Sequence, residues 1–143
     1  MDLQSFLNKQ IANFAVSYFK LHHFHWFIEG PGFYDFHELF QNLYEEQTAL
    51  LDEFAERLLA IEGKPISKMA EYLKLTSLSE EQNEKSVKDT MNCLIKDFSQ
   101  MATEMKEGIV LAEKAEDHVT TDLLIRTKES LEKHVWMFKQ TIK

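Results

Sequence analysis

KLHHFHWFIEGPGFYDFHELFQNLYEEQTALLDEFAERL, residues Lys20–Leu58, decides the fold. Glu29-Gly30-Pro31-Gly32 interrupts an otherwise helical pattern, and such a break predicts a hairpin of two helices. Upstream, Leu7, Ile11, Phe14, Tyr18, Leu21, His25 and Ile28 recur at alternating steps of four and three. That rhythm predicts a helix over about Leu3–Ile28 with one continuous inner stripe. Downstream, Phe36, Phe40, Leu43, Gln47, Leu50, Phe54 and Ile61 mark a second helix over about Asp35–Ile61, ended by Gly63 and Pro65. His25 lies shortly before the turn and His37 shortly after it, so the two can approach within one chain.

Beside the apolar stripe of the second helix runs a polar one: His37, Gln41, Thr48, Asp52 and Glu56. On a helical wheel His37 and Asp52 differ by about 60°, and Asp52 and Glu56 by about 40°, so all three share a sector. Imidazole and carboxylate together suit iron, zinc or manganese. Yet Asp52 is roughly 22 Å beyond His37 along one helix. Followed back along the first helix, Asp52 would stand opposite Lys9 or Gln10. One chain therefore cannot bring His25, His37, Asp52 and Glu56 to one metal. Two chains related by a two-fold axis can, because antiparallel second helices set His37 of one beside Asp52 and Glu56 of the other. Each dimer would hold two equivalent sites. The plain alternative is a solvated helix face and a satisfied core histidine.

Residues 62–85 form a long connection, with a short helix expected over Ser67–Leu75. Ser86-Val87-Lys88-Asp89 resembles a capping box and opens a third helix, with Val87, Met91, Leu94, Phe98, Met101, Met105 and Ala112 as its stripe. Methionines at helical spacing read as adaptable core rather than copper or haem ligands. Gly108 is expected to admit a neighbouring backbone. A fourth helix follows the acidic turn Glu113–Asp117, with Leu124, Thr127, Leu131, His134, Phe138 and Thr141 in the same rhythm. His134 reads as a core or interface residue, and so does His22, as a hydrogen-bonded histidine. His23 faces the other way and is expected to be exposed or at a subunit contact. The expectation is an all-α four-helix bundle in a single domain, residues 1–143, with a short extra helix in the connection between helices two and three.

Composition agrees. The 143 residues are 44% hydrophobic and 28% charged, with four glycines and two prolines, which favours long helices over a turn-rich β fold. The single cysteine, Cys93, excludes an internal disulfide and reads as a small core residue. The first ten residues lack a basic start and an apolar run, and no stretch approaches a membrane span, so the expected compartment is the cytoplasm and no membrane partner is expected. No Gly-rich phosphate loop, Gly-x-Ser-x-Gly or Cys-x-x-Cys occurs, and no Glu-x-x-His, the pair that common four-helix di-iron bundles use.

His25-Trp26, then His37 twelve residues after His25, then Asp52-Glu53-x-Ala55-Glu56-Arg57-Leu58, resembles the signature of the Dps family, small ferritin-like proteins named for starvation-induced DNA binding. The resemblance extends to Glu116-Asp117-His118-Val119-Thr120-Thr121-Asp122-Leu123-Leu124 and to Lys133-His134-Val135-Trp136-Met137-Phe138. It implies a ferritin-like bundle and a hollow homododecamer that oxidises ferrous iron, with hydrogen peroxide as oxidant, and stores ferric mineral. It implies that His25 and His37 of one chain and Asp52 and Glu56 of its partner form the ferroxidase centre, with zinc an alternative occupant, and that Trp26 neighbours it. Asp117 and Asp122 match acidic positions near iron-entry pores; the alternative is helix capping. One departure stands out: where the family usually has Asp four residues after the second His, this chain has Gln41, which puts the second iron position in doubt.

Two other readings remain open on this sequence: a DNA-compacting structural protein, and a structural assembly whose metal site has degenerated. The net charge of −8 weighs against the first, because non-specific DNA affinity comes from basic groups that release counterions from phosphate. Residues 1–8 carry no Lys or Arg, and after Trp136 only Lys139 and Lys143 follow. In a gel shift at about 150 mM salt with EDTA, duplex DNA is expected to run free; retardation at micromolar protein would promote the DNA-compacting reading.

Overall fold

A computed structural model describes residues 1–81 and 83–143. Its five helices are α1 (Leu3–Phe27), α2 (Phe33–Ala60), α3 (Met69–Leu75), α4 (Val87–Lys114) and α5 (His118–Thr141), with no strand among the described residues. The all-α reading and the short helix in the crossover are both met. Helix ends differ from the expected ones by one or two residues.

The α1–α2 turn depends on its glycines. Gly30 has φ +101° and Gly32 φ +85°, a left-handed backbone that costs glycine little and other residues more. The other three long helices start on short polar caps. Asp2 Oδ1 accepts from Ser5 N at 2.7 Å, Ser86 Oγ from Asp89 N at 3.1 Å, and Asp117 Oδ1 from Thr120 N at 2.9 Å.

α1 packs antiparallel to α2, and α4 antiparallel to α5. Contacts of α2 with α5 (Arg57–Asp117, Glu53–Arg126, Glu46–His134) and of α1 with α4 (Gln10–Glu104, Lys20–Asp97) close the four-helix square. α2 and α4 therefore lie on a diagonal and run parallel, and that is why a long crossover must join them. α3, within the crossover, rests on α1.

The core holds Phe6, Phe14, Phe24, Phe40, Phe54 and Phe98 with Leu7, Ile11, Leu21, Leu43, Leu58 and Met91, all essentially without solvent contact. The methionines of the α4 stripe, Met91, Met101 and Met105, are buried in it as expected. α1 is buried on far more than one stripe. Phe6, Gln10, Asn13, Ser17, Lys20 and Phe24 are also inside, because α4 and the crossover cover the flank that α2 does not. A Cβ on Gly108 would lie 2.2 Å from the Phe6 ring, so what approaches this glycine is a side chain rather than the expected backbone. Cys93 is half-buried, and desolvation, aided by Asp97, pushes its thiol up to about 11, so it is a poor nucleophile.

The buried polar groups of α1 pin the crossover. Glu104, 3% exposed, accepts from Gln10 Nε2 (2.8 Å), Asn13 Nδ2 (3.1 Å), Ser77 Oγ (2.6 Å) and Gln100 Nε2 (2.6 Å). Asn13 Oδ1 accepts in turn from Thr76 Oγ1 and Ser77 N. One carboxylate thus joins α1, α4 and the chain just after α3. Beside it, Lys20 and Asp97 form a buried ion pair between α1 and α4, and burial raises the Asp97 carboxyl despite Lys20.

Burial alone would raise the Glu104 carboxyl, but hydrogen bonds from Ser77, Gln100 and Gln10, with Lys9 nearby, hold it below the ordinary glutamate range. A lowered folded-state value means that this carboxylate's contribution is complete above the ordinary value and lost as pH falls through the lowered one. Glu104→Gln sets an amide N–H₂ among four donors and is expected to cost about 2–3 kcal/mol. Urea unfolding at several pH values checks this: the variant should lose stability at neutral pH and show a flatter acid limb than the parent.

Candidate metal centre

His25 closes the last turn of α1 and His37 stands in the first turns of α2, so the Gly-Pro-Gly turn lays the two side by side. The imidazole rings stack with centroids 3.6 Å apart and planes 14° from parallel. His25 Nδ1 lies 2.6 Å from the carbonyl oxygen of His37, and His37 Nδ1 lies 2.7 Å from the carbonyl oxygen of His25. A carbonyl only accepts, so each Nδ1 carries the proton and donates it. In the neutral ring each Nε2 is then left with its lone pair, the form in which imidazole binds a metal.

Aromatic rings fix the pair. Phe33 stacks on His37 at 5.1 Å, and the edge of Tyr44 meets His25 at 5.4 Å. Tyr44 stacks on His22 at 3.8 Å, and His22 lies 5.2 Å from Trp26, which is 63% exposed. His25 is buried and His37 half-buried. Both neighbouring histidines pack on aromatic rings. The Nδ1 of His22 is buried without a hydrogen-bond partner among the described residues. His23 is half-buried rather than exposed, because its ring packs on Phe27 at 4.7 Å.

Asp52 and Glu56 are exposed on α2, and no Lys, Arg or His among the described residues closes on either. Their neighbours are engaged within the bundle: Glu53 with Arg126 at 3.4 Å, Glu46 with His134 Nε2 at 3.1 Å, and Arg57 with Asp117 at 3.0 Å and Thr120. Gln41, between the two ends of the stripe, is exposed and donates its amide to Glu45 Oε1 at 3.2 Å. Among the described residues, one chain gathers no group of three or more His, Cys, Asp or Glu able to hold a metal. It brings His25 to His37 and leaves Asp52 and Glu56 about four helical turns away. The donor set nonetheless fits a divalent first-row metal: two imidazole nitrogens with free lone pairs and two carboxylates without a cationic partner.

Asp117 caps α5 and bonds Arg57. Burial would raise its carboxyl, but bonds from Thr120 and Arg57 hold it below the ordinary value. Asp122 is exposed and pairs with Arg126 one turn on. Sequence reasoning missed the lock on the histidine tautomers and the His22–Tyr44 stack. Spacing carries no signal for a bond to a backbone carbonyl across a turn.

A ferritin-like domain model matches residues 4–143. The chain is 42% identical over 133 residues to DNA protection during starvation protein 2 of Bacillus anthracis, covering 93% of this chain and 91% of that one. The crystal structure of Dps from Staphylococcus aureus superposes with TM-score 0.96 at 36% identity, covering 99% of this chain and 95% of that one. The structure of Dps from Listeria innocua soaked with zinc does so with TM-score 0.95 at 41% identity, covering 99% and 96%. The chain belongs to the ferritin-like family and, within it, to the Dps proteins. No helix among the described residues is long and apolar enough to cross a membrane.

The tautomer assignment is testable without metal. In a metal-free sample at mildly alkaline pH, long-range ¹⁵N–¹H correlation should show His25 and His37 both protonated at Nδ1 and bare at Nε2. A proton on either Nε2 would remove a lone pair from the site.

Proposed function

We propose that this protein is a mini-ferritin that oxidises ferrous iron and stores the ferric product, with hydrogen peroxide as oxidant. The observation that carries the reading is the reciprocal bond between His25 and His37, which reserves both Nε2 atoms for a ligand. Asp52 and Glu56 of a two-fold-related partner complete the centre, because antiparallel α2 helices set them beside His37. The negative charge of that centre comes from the two carboxylates, and its position from the stacked imidazoles. Membership of the Dps proteins supports closure of six such dimers into a hollow dodecamer.

In the proposed reaction ferrous iron and peroxide are the substrates. Two ferrous ions give one electron each to one peroxide, its O–O bond breaks, and both oxygens end at the level of water. Hydrolysis of the ferric ions then releases protons and yields the oxide that is stored. Because both electrons are taken within a protein-lined site, no hydroxyl radical is set free. Zinc, a redox-inert ion of similar ligand preference, would occupy the same centre and block it. Gln41 favours a second reading, a shell with a weakened centre, because an amide is a poorer iron ligand than a carboxylate.

Anaerobic ferrous titration followed by peroxide, read by ferric absorbance, tests the proposal. The parent is expected to oxidise iron as a multimer on size exclusion. Asp52→Ala and Glu56→Ala should each abolish tight ferrous binding, and His25→Ala should weaken it strongly. Wild-type oxidation in both carboxylate variants, or full activity from a monomer, would overturn the intersubunit centre.

A further inference from the structure

Gln41 stands one turn after His37 and one turn before Glu45, on the exposed polar face of α2. Helix residues four apart are neighbours, and here the Gln41 amide nitrogen donates to Glu45 Oε1 at 3.2 Å, its one hydrogen bond among the described residues. An amide presents either an oxygen or an N–H₂ group, and the two choices have opposite consequences for a cation. An ionised carboxylate accepts and cannot donate. Glu45 therefore selects the rotamer with N–H₂ toward itself and turns the Gln41 oxygen away from itself. Glu45 takes part in no ion pair with Lys, Arg or His among the described residues, so its charge is available for this bond.

Resting on the function proposed above, we propose that Glu45 is a positioning residue of the metal centre. By holding the Gln41 N–H₂, it makes the Gln41 oxygen the neutral ligand offered to the second metal position, beside the His37 imidazole. The centre is then asymmetric: one ion held by the full carboxylate charge, and a second held through an amide oxygen whose orientation depends on Glu45. A hydrogen-bond partner that orients a metal ligand is commonly worth about ten-fold or more in affinity.

The test is anaerobic titration of the assembled protein with cobalt(II), read by calorimetry and by the visible absorbance of the bound ion. Glu45→Ala should weaken the second equivalent about ten-fold and leave the first unchanged. Glu45→Gln keeps an oxygen that can accept from Gln41 while losing the charge, and should keep most of the second affinity. In a Gln41→Asp background both ends of the ligand are oxygens, so Glu45→Ala should have no effect there; this is a double-mutant cycle. Equal losses in Glu45→Ala and Glu45→Gln would make the effect one of charge alone and overturn the proposal. So would an equal loss in the Gln41→Asp background, or wild-type second affinity in Glu45→Ala. Asp52→Ala is titrated in parallel: if it keeps both equivalents, the metal centre itself is wrong, which separates that failure from a failure of Glu45 alone.

Discussion

Each ring of the His25–His37 pair is held by the backbone carbonyl of the other residue. Those two bonds join the end of α1 to the start of α2, and they protonate both Nδ1 atoms and free both Nε2 atoms at once. The turn must therefore be tight and its glycines left-handed, since a looser link would not bring residues twelve apart into stacking contact. The rings around the pair, Phe33, Tyr44 and His22, leave the imidazoles little room to turn.

α2 is loaded on two sides. Its apolar stripe, with Phe40, Leu43, Phe54 and Leu58, is sealed in the bundle. Its polar stripe carries Gln41, Asp52 and Glu56 outward. A straight helix cannot fold back on itself, so the imidazoles and the carboxylates stay about 22 Å apart within one chain. Glu46, Glu53 and Arg57, on neighbouring faces of the same helix, are matched to α5. Asp52 and Glu56, by contrast with these, meet no counter-charge among the described residues, which leaves them able to take up a cation.

The long crossover is held by Leu78, Ile66 and Tyr72 against the core and, beyond them, by buried polar groups. Met69 and Leu73 of α3 stay exposed, while Thr76 and Ser77 reach Asn13 and Glu104 in the interior. A buried carboxylate with every neighbour donating is stable where an unmatched one would be costly. Membership of the ferritin-like Dps proteins fits this architecture, in which the second and third long helices run parallel and need such a crossover.

Much of this was legible in the sequence. Four-and-three spacing marked the long helices, because a buried stripe must recur with the helical period. Gly30-Pro31-Gly32 marked the turn, because few residues other than glycine accept a left-handed backbone cheaply. The twelve-residue interval between His25 and His37, read with that turn, put the two side chains together. The distance from His37 to Asp52 along a rigid helix was equally plain. The burial of α1 around most of its circumference was not, since Gln10, Asn13 and Lys20 look like surface residues until Glu104 and Asp97 arrive from α4. Nor was the placing of His23 against Phe27, or the Gln41–Glu45 bond. These are decided by which side chains from distant parts of the chain meet, and by hydrogen bonds to particular atoms. Periodicity tells which face of a helix is inside; only the packed structure tells what that face meets.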